Sequence, residues 1–278
     1  MNGKKTAGRA GRRAAMQQTH PPTRLPAHPP ALTEQPAGDA SVPRLELQEW
    51  ADRYGLTAGI TIRGHGFGLG LWSEDNVGQV MTRWRAFHAA VEKSFPAVVT
   101  GHQVHGTAVR WQEQRTNGWL LLDGVDGHAT GAAGVLLTVM IADCIPVYLA
   151  VPRTGAVALL HAGWRGVAGT VLEVGVEVLR QHAAARGEDI VMHCGVGICG
   201  KCYEVGPEVA ARFDEATGTG PHHVDLRAVL ARQALHLGIA QVTVSPWCSA
   251  HDRERFFSHR GSGGRDGRMV AYLGRPLA

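Results

Sequence analysis

The sequence predicts a mixed α and β fold in which helices pack on a sheet, and three observations carry that reading. Short apolar runs of strand length, rich in β-branched residues and bounded by Gly or Pro, alternate with amphipathic segments of helical period. With 278 residues, 44% of them hydrophobic and 19% charged, the chain can bury a full core. No repeat of roughly 20–50 residues is visible, which argues against a solenoid or a propeller.

Taken in chain order, residues 1–43 come first. Lys4, Lys5, Arg9, Arg12, Arg13 and Arg24 stand there against Glu34 and Asp39, so this stretch carries the whole formal excess of +4. It is rich in proline and poor in large apolar residues, and it is expected to be a disordered basic tail that can be removed without loss. Its scattered charges lack interleaved aromatic residues, so a nucleic-acid partner is not expected. The organised domain is expected to span residues 44–278. Strands are predicted in "TAGITIRG" (57–64), "PAVVTGHQV" (96–104), "GVLLTVMI" (134–141), "PVYLAV" (146–151), "GAVALLH" (155–161), "DIVMHCGVGI" (189–198) and "QVTVSPW" (241–247). One helix is predicted over 166–187, with Val167, Val171, Val174 and Val178 on one face and Gly187 as its stop. A second is predicted over 224–238, capped by Asp225, burying Leu226, Val229, Leu230 and Leu237, and ended by Gly238.

No membrane partner is expected, because no apolar run approaches the length of a span and the basic N-terminus has no apolar stretch behind it. The five cysteines, an odd number in a chain of this size, fit reduced thiols or metal ligands better than a disulfide framework, and a cytoplasmic location follows as an expectation.

The chemistry is expected from polar groups delivered at strand ends. The run "LLTVMIADCIPVYLA" (136–150) reads as a buried strand, yet it holds Asp143 and Cys144, with Pro146 just beyond. His105 in "GHQVHG" and His161 in "LLHAGWRG" likewise follow apolar runs beside small residues. Two imidazoles and one thiolate suit zinc with a fourth position left open, an arrangement for catalysis. Spacing alone does not join them, and each could equally be a satisfied core residue. A competing cluster lies in "HCGVGICGKCYEVG", with His193, Cys194, Cys199 and Cys202. Its Cys-x-x-Cys could be half of a closed zinc site or a redox pair, and Cys248 and His251 are the nearest second ligand pair. Glycine-rich turns with buried thiols, or a loop lining the substrate, are the alternatives; the first of these is the preferred reading.

Five blocks in order, "GHQVHG", "DGHATGAAGVLLTVMIADCIPVYLA", "AVALLHAGWRGVAGTVL", "GVGICGKCYEVGPEV" and "CSAHDRERFFSHRGSGGRDGRM", resemble the YfiH-type family. That family is also called multicopper polyphenol oxidoreductase or laccase domain, purine nucleoside phosphorylase, and peptidoglycan editing factor. The resemblance covers roughly residues 55–275. It implies an α+β fold layered α/β/β/α, similar to a deamidating toxin's catalytic domain. It further implies zinc held by His105, Cys144 and His161. The sequence departs from the family pattern at "DGHAT" (126–130) and in "RGHGFGLGLWSEDNVGQ" (63–79), which contains Arg63.

The laccase name fails a simple test. A four-copper oxidase draws its ligands largely from His-x-His pairs, and among the fifteen histidines here no such pair occurs; copper at a His/Cys site would be adventitious. The resemblance implies instead phosphorolysis of adenosine, inosine, guanosine and methylthioadenosine, and deamination of adenosine. In that reading the partners are a small-molecule nucleoside and phosphate, Arg165 and Arg260 hold the phosphate, and Asp143 transfers a proton or orients its neighbours. Two other readings stay open. One is a hydrolase editing a peptidoglycan precursor, with zinc or with Cys144 and His161 as nucleophile and base; the other is a non-enzymatic protein whose pocket binds a partner.

Overall fold

The structure is a computed structural model that describes Met1 and residues 29–37, 42–113, 117–213 and 220–278. Two mixed sheets form its centre. One has seven strands in the order Gln35–Pro36, Arg44–Glu46, Thr57–Thr61, Met269–Gly274, Val135–Ile141, Ala97–His102, Gly118–Asp123. The other has six, in the order Gln241–Val244, Val191–Cys194, Ile145–Val151, Ala156–Ala162, Gly127–Thr130, Val109–Gln112.

Side-chain alternation shows how the sheets are layered. In Val135–Ile141 the odd positions Leu137, Val139 and Ile141 pack with Tyr148, Ala150, Val157 and Leu159 of the other sheet, while Leu136 and Met140 point away to Val80, Trp84 and Phe87 of the helix Val77–Val91. In Ile145–Val151 the even positions Tyr148 and Ala150 face the first sheet. The odd positions Ile145, Val147, Leu149 and Val151 face Leu172 and Leu179 of the helix Val171–Ala183 and Leu230 of the helix Leu226–His236. The order is therefore helix, sheet, sheet, helix. Both faces of each central strand are covered, which is why these strands read as unbroken apolar runs.

The apolar run over 136–150 holds the two strands predicted within it, at 134–141 and 146–151, and they lie in two different sheets. The chain leaves the seven-stranded sheet at Ile141, turns through Ala142, Asp143 and Cys144, and enters the six-stranded sheet at Ile145. Pro146 lies at the start of an interior strand, opposite His161. The ladder on its other side begins only at Val147, and Pro146 accepts there from the Gly195 N–H at 2.9 Å. It therefore costs the sheet little despite lacking a donor.

The first predicted helix is also two. A short helix Trp164–Ala168 ends at Gly169, Thr170 takes a positive φ of 65°, and Val171–Ala183 follows. The break rotates the buried face onto Val171, Leu172, Gly175, Val176 and Leu179, leaving Val174 and Val178 half-buried, and the helix stops at Ala184 rather than Gly187. The second is as expected: Asp225 accepts from the N–H groups of Arg227 and Ala228, and Leu226, Val229 and Leu230 are buried, with Leu237 half-buried.

The tail expected over 1–43 is corrected for residues 29–37 and 42–43. Leu32 donates to the Val244 carbonyl at 2.9 Å and Val244 to that of Pro30 at 3.0 Å, covering the edge of the six-stranded sheet; Gln35–Pro36 pair with Arg44–Glu46 of the other. Between them Glu34 is 2% exposed, within 3.3 Å of His193 Nε2 and accepting from Ser245 Oγ at 2.8 Å. Residues 2–28 and 38–41 of that expectation lie outside the described residues. A chain beginning at Gly38 is expected to lose about 2 kcal/mol, because His193 and Ser245 are left without their buried partner. That is about 4–8 °C in Tm, and an unchanged melting curve would count against the docking.

The departure at "DGHAT" places His128 in the interior, 0% exposed, with neither ring nitrogen partnered among the described residues. Burial pushes this imidazole down to about 4, only partly opposed by the charge of Asp126. The unfolded chain thus takes up a proton near pH 6.5, before the folded one does. Stability is complete above that pH and falls as pH drops towards 4, by about 3 kcal/mol in all. His128→Leu is expected to be neutral or stabilising at pH 7 and to remove about 2 kcal/mol of the difference between pH 7 and pH 5, read from paired denaturation curves.

Candidate active site

The turn Ala142–Cys144 between the two sheets is also where the chemistry gathers. Asp143 sits there at φ 83°, a backbone region that costs an L-residue about 1–3 kcal/mol unless its surroundings hold it. Its carboxylate accepts from Ser249 Oγ at 2.6 Å, Ser258 Oγ at 2.7 Å and the Arg260 N–H at 2.6 Å. These bonds fasten the 249–260 segment to the turn and aim the next side chain, Cys144, at the cleft. At the apex of the turn both carboxylate oxygens of Asp143 are thus engaged.

His105 reaches the same cleft from the loop after Ala97–His102, and it too has a positive φ, 59°. That conformation turns three consecutive N–H groups, of Val104, His105 and Gly106, onto the carboxylate of Asp126 at 3.2, 2.9 and 2.8 Å. Asp126 is completely buried, and its Oδ1 lies 2.9 Å from His161 Nδ1. Nothing in the sequence singles this residue out. The acid holds the proton of His161 on Nδ1, which leaves Nε2 free to act as a ligand or an acceptor.

His161 is the penultimate residue of Ala156–Ala162, 3% exposed. Gly163 follows, and a Cβ on it would come within 3.0 Å of both Cys144 Sγ and His105 Cδ2. The glycine of "HAGWRG" therefore makes room for the pair. The structure brings His105, Cys144 and His161 together, with one ligand atom from each within 4.8 Å of the others, and the two imidazole rings stand edge to face with centroids 4.8 Å apart.

Burial alone would raise the Cys144 thiol, but the charge of His161 and hydrogen bonds from both histidines outweigh it and bring it down to about 6. Burial alone would lower His161; Cys144 and Asp126 together raise it to about 9. Without a metal, these opposite shifts favour moving the thiol proton onto His161 Nε2; a bound metal would take that proton's place. The donor set fits zinc on the structure's own terms: two imidazole nitrogens and an ionised thiol converge, one tautomer is fixed by a buried carboxylate, and one side opens on a cavity.

That cavity measures about 410 Å³, within the usual range for a small-molecule site. Arg165 and Arg260 both line it, joined by Arg268, Tyr203, Gln103 and, towards one rim, Trp72 stacked on His102 at 4.3 Å. The Arg165 guanidinium lies over the Trp164 ring at 4.4 Å, and Arg260 donates to the Glu204 carbonyl at 2.6 Å. Arg63 does not line the cavity; it bonds Asp266 at 2.6 Å and the Phe256 carbonyl, bracing the 256–266 segment. His193 and Cys194 belong to a strand and are buried away from the cleft.

An α/β/β/α sandwich with a His–Cys–His cluster at the corner between its sheets is the class that fold and site define. The chain belongs to the family described as multi-copper polyphenol oxidoreductase laccase, whose model matches residues 57–276. It is 32% identical over 251 residues to a protein named purine nucleoside phosphorylase YlmD from Geobacillus stearothermophilus, covering 80% of this chain and 90% of that one. The crystal structure of YlmD from the same organism superposes with a TM-score of 0.79 at 29% identity, over 89% of this chain and 100% of that one. A Bacillus licheniformis YfiH structure gives 0.75 at 25% identity, over 85% and 97%. A protein named adenosine deaminase RL5, from an unknown prokaryotic organism, is 35% identical over 167 residues, which are 55% of this chain and 63% of that one.

Proposed function

We propose that the protein is a zinc-dependent purine nucleoside phosphorylase acting on adenosine, inosine, guanosine and methylthioadenosine, with adenosine deaminase activity at the same site. The observation that carries this reading is the His105–Cys144–His161 cluster opening on a cavity lined by three arginines. The names of the relatives point the same way. Residues 44–278, with the docked segment 29–37, would act as one catalytic domain. No helix among the described residues is long and apolar enough to cross a membrane, which agrees with the cytoplasmic location we propose.

When bound, zinc supplies Lewis-acid polarisation of an oxygen. The chain's own residues do the rest. Arg165 and Arg260 bind phosphate, whose charge and planar sets of oxygens suit guanidinium groups. In phosphorolysis a phosphate oxygen bonds to the ribose anomeric carbon as the bond to N9 breaks, and the base leaves with the electron pair and takes a proton. In deamination water adds at C6 of adenine and ammonia leaves. Asp126 holds His161 in one tautomer throughout, and Asp143 keeps Cys144 and Arg260 in place. Purified protein given adenosine with phosphate should yield adenine and ribose 1-phosphate, and without phosphate inosine; the formation of none of these would overturn the proposal.

A second reading is favoured by one specific observation, the convergence of Cys144 on His161, whose charge and hydrogen bond hold the thiol down at about 6 while Cys144 and Asp126 hold the imidazole up at about 9. Such a pair could act without metal, the Cys144 thiolate as nucleophile with its proton already taken up by His161, which returns it to the leaving group, as in hydrolytic editing of a wall precursor. Alkylation of Cys144 in metal-free protein, followed by peptide mass spectrometry, should show a midpoint near pH 6 and be suppressed by zinc. Turnover that rises as zinc is removed would favour the thiol reading.

A further inference from the structure

A second cluster lies apart from the proposed catalytic residues. Cys199 and Cys202 flank one turn, in which the N–H groups of Cys202 and Tyr203 bond back to the Cys199 carbonyl at 3.0 Å. Cys248 and His251 flank another, closed by the Asp252 N–H on the Cys248 carbonyl at 2.9 Å. The long stretch of chain between the pairs is spanned by the fold: Gly197 and Cys248 form a β-bridge, the Ser249 N–H bonds the Gly197 carbonyl at 3.1 Å, and buried Arg227 bonds the carbonyls of Gly197, Ser245 and Trp247.

All four side chains offer a ligand atom, and these lie within 4.8 Å of one another. His251 Nδ1 is 3.6 Å from both Cys199 Sγ and Cys202 Sγ. A zinc tetrahedron with Zn–S near ~2.3 Å and Zn–N near ~2.0 Å separates its ligand atoms by about 3.5–3.8 Å. The Cys199 N–H also reaches Cys248 Sγ at 3.3 Å, which ties the two ligand pairs together. Three sulfurs exclude magnesium and calcium, which take oxygen, and a complete four-ligand set leaves no open position for substrate.

We propose that Cys199, Cys202, Cys248 and His251 form a closed structural zinc site, distinct from the His105–Cys144–His161 centre. It clamps the two segments that form one wall of the catalytic cavity. Ile198 and Tyr203 flank the first ligand pair and Arg260 follows the second, and all three line that cavity. Arg260 reaches back across the clamp to the Glu204 carbonyl and lies over the Tyr203 ring at 5.3 Å. This reverses the reading preferred from sequence, in which Cys199 and Cys202 are buried thiols in glycine-rich turns.

The test is zinc stoichiometry by mass spectrometry on full-length protein purified from zinc-supplied medium, with thiols alkylated at lysis in a parallel sample. Two zinc ions per chain are expected, one in Cys144→Ser, one in Cys202→Ser and none in the double variant. His251→Gln, at an exposed position with little packing to lose, serves if Cys202→Ser does not fold. Cobalt loaded into Cys144→Ser should show thiolate charge-transfer and tetrahedral d–d bands that His251→Gln alters. The proposal fails if wild type holds a single zinc that Cys144→Ser removes, or if Cys199 and Cys202 are isolated as a disulfide. A single zinc that survives Cys144→Ser and is lost in Cys202→Ser would uphold this site while overturning the catalytic one.

Discussion

Cys144→Ser should leave a folded protein without catalytic zinc and without measurable phosphorolysis. The side chain is half-buried at the turn between the sheets, and exchanging sulfur for oxygen changes its volume little, so Tm should move by no more than a few degrees. The hydroxyl stays protonated near neutral pH, whereas the thiol it replaces is brought to about 6 by its two histidines; a metal ligand must be deprotonated. His105→Ala and His161→Ala should each have the same effect on turnover. Combining either with Cys144→Ser should cost little more, because groups serving one step are not additive. Turnover retained in a folded Cys144→Ser protein that has lost one of its two zinc ions would sink the metal mechanism. Two zinc ions retained per chain, as in the wild type, with activity lost would indicate the thiolate as nucleophile.

Asp126→Asn should be the most damaging change outside the ligands. The carboxylate accepts from three N–H groups and meets the His161 ring, all within 3.2 Å. Asparagine keeps the shape but turns an amide NH₂ towards some of those donors. Breaking a buried, charge-assisted network of this kind costs about 3 kcal/mol, or about 6–12 °C in Tm for a domain of this size. Without the carboxylate His161 is free to change tautomer, and zinc affinity should fall about 10- to 100-fold. Denaturation curves and a competition titration with a zinc chelator separate the two effects. Lost stability with unchanged affinity would mean that Asp126 only builds the 104–106 turn.

The difference between Asp126 and the ligands shows what the sequence made legible. His105, Cys144 and His161 each interrupt or follow an apolar run, where a polar side chain has no reason to be unless it leaves the core. Asp126 sits in "DGVDG", where an acid looks like ordinary turn chemistry, and nothing in its spacing connects it with a histidine 35 residues on. Glu34 escapes notice for a similar reason. A proline-rich, polar stretch cannot bury itself, but this one is held by His193 and Ser245, 159 and 211 residues away.

Strand placement came through because β-branched runs bounded by Gly and Pro are local signals. The passage from one sheet to the other at Asp143 did not, since an αL residue flanked by apolar runs has the same composition as a continuous strand. The helix break at Gly169–Thr170 was hidden likewise, because the apolar period carries on across it. For Cys199, Cys202, Cys248 and His251 both pairs were visible. Only the β-bridge between Gly197 and Cys248 shows that they meet.

The formation of ribose 1-phosphate from adenosine and phosphate, followed in one sample while zinc is stripped by a chelator and then restored, tests the central claim most directly. Turnover should vanish with the metal and return with it. Undiminished phosphorolysis in the metal-free protein would contradict the assignment of His105, Cys144 and His161 as the metal centre of this reaction.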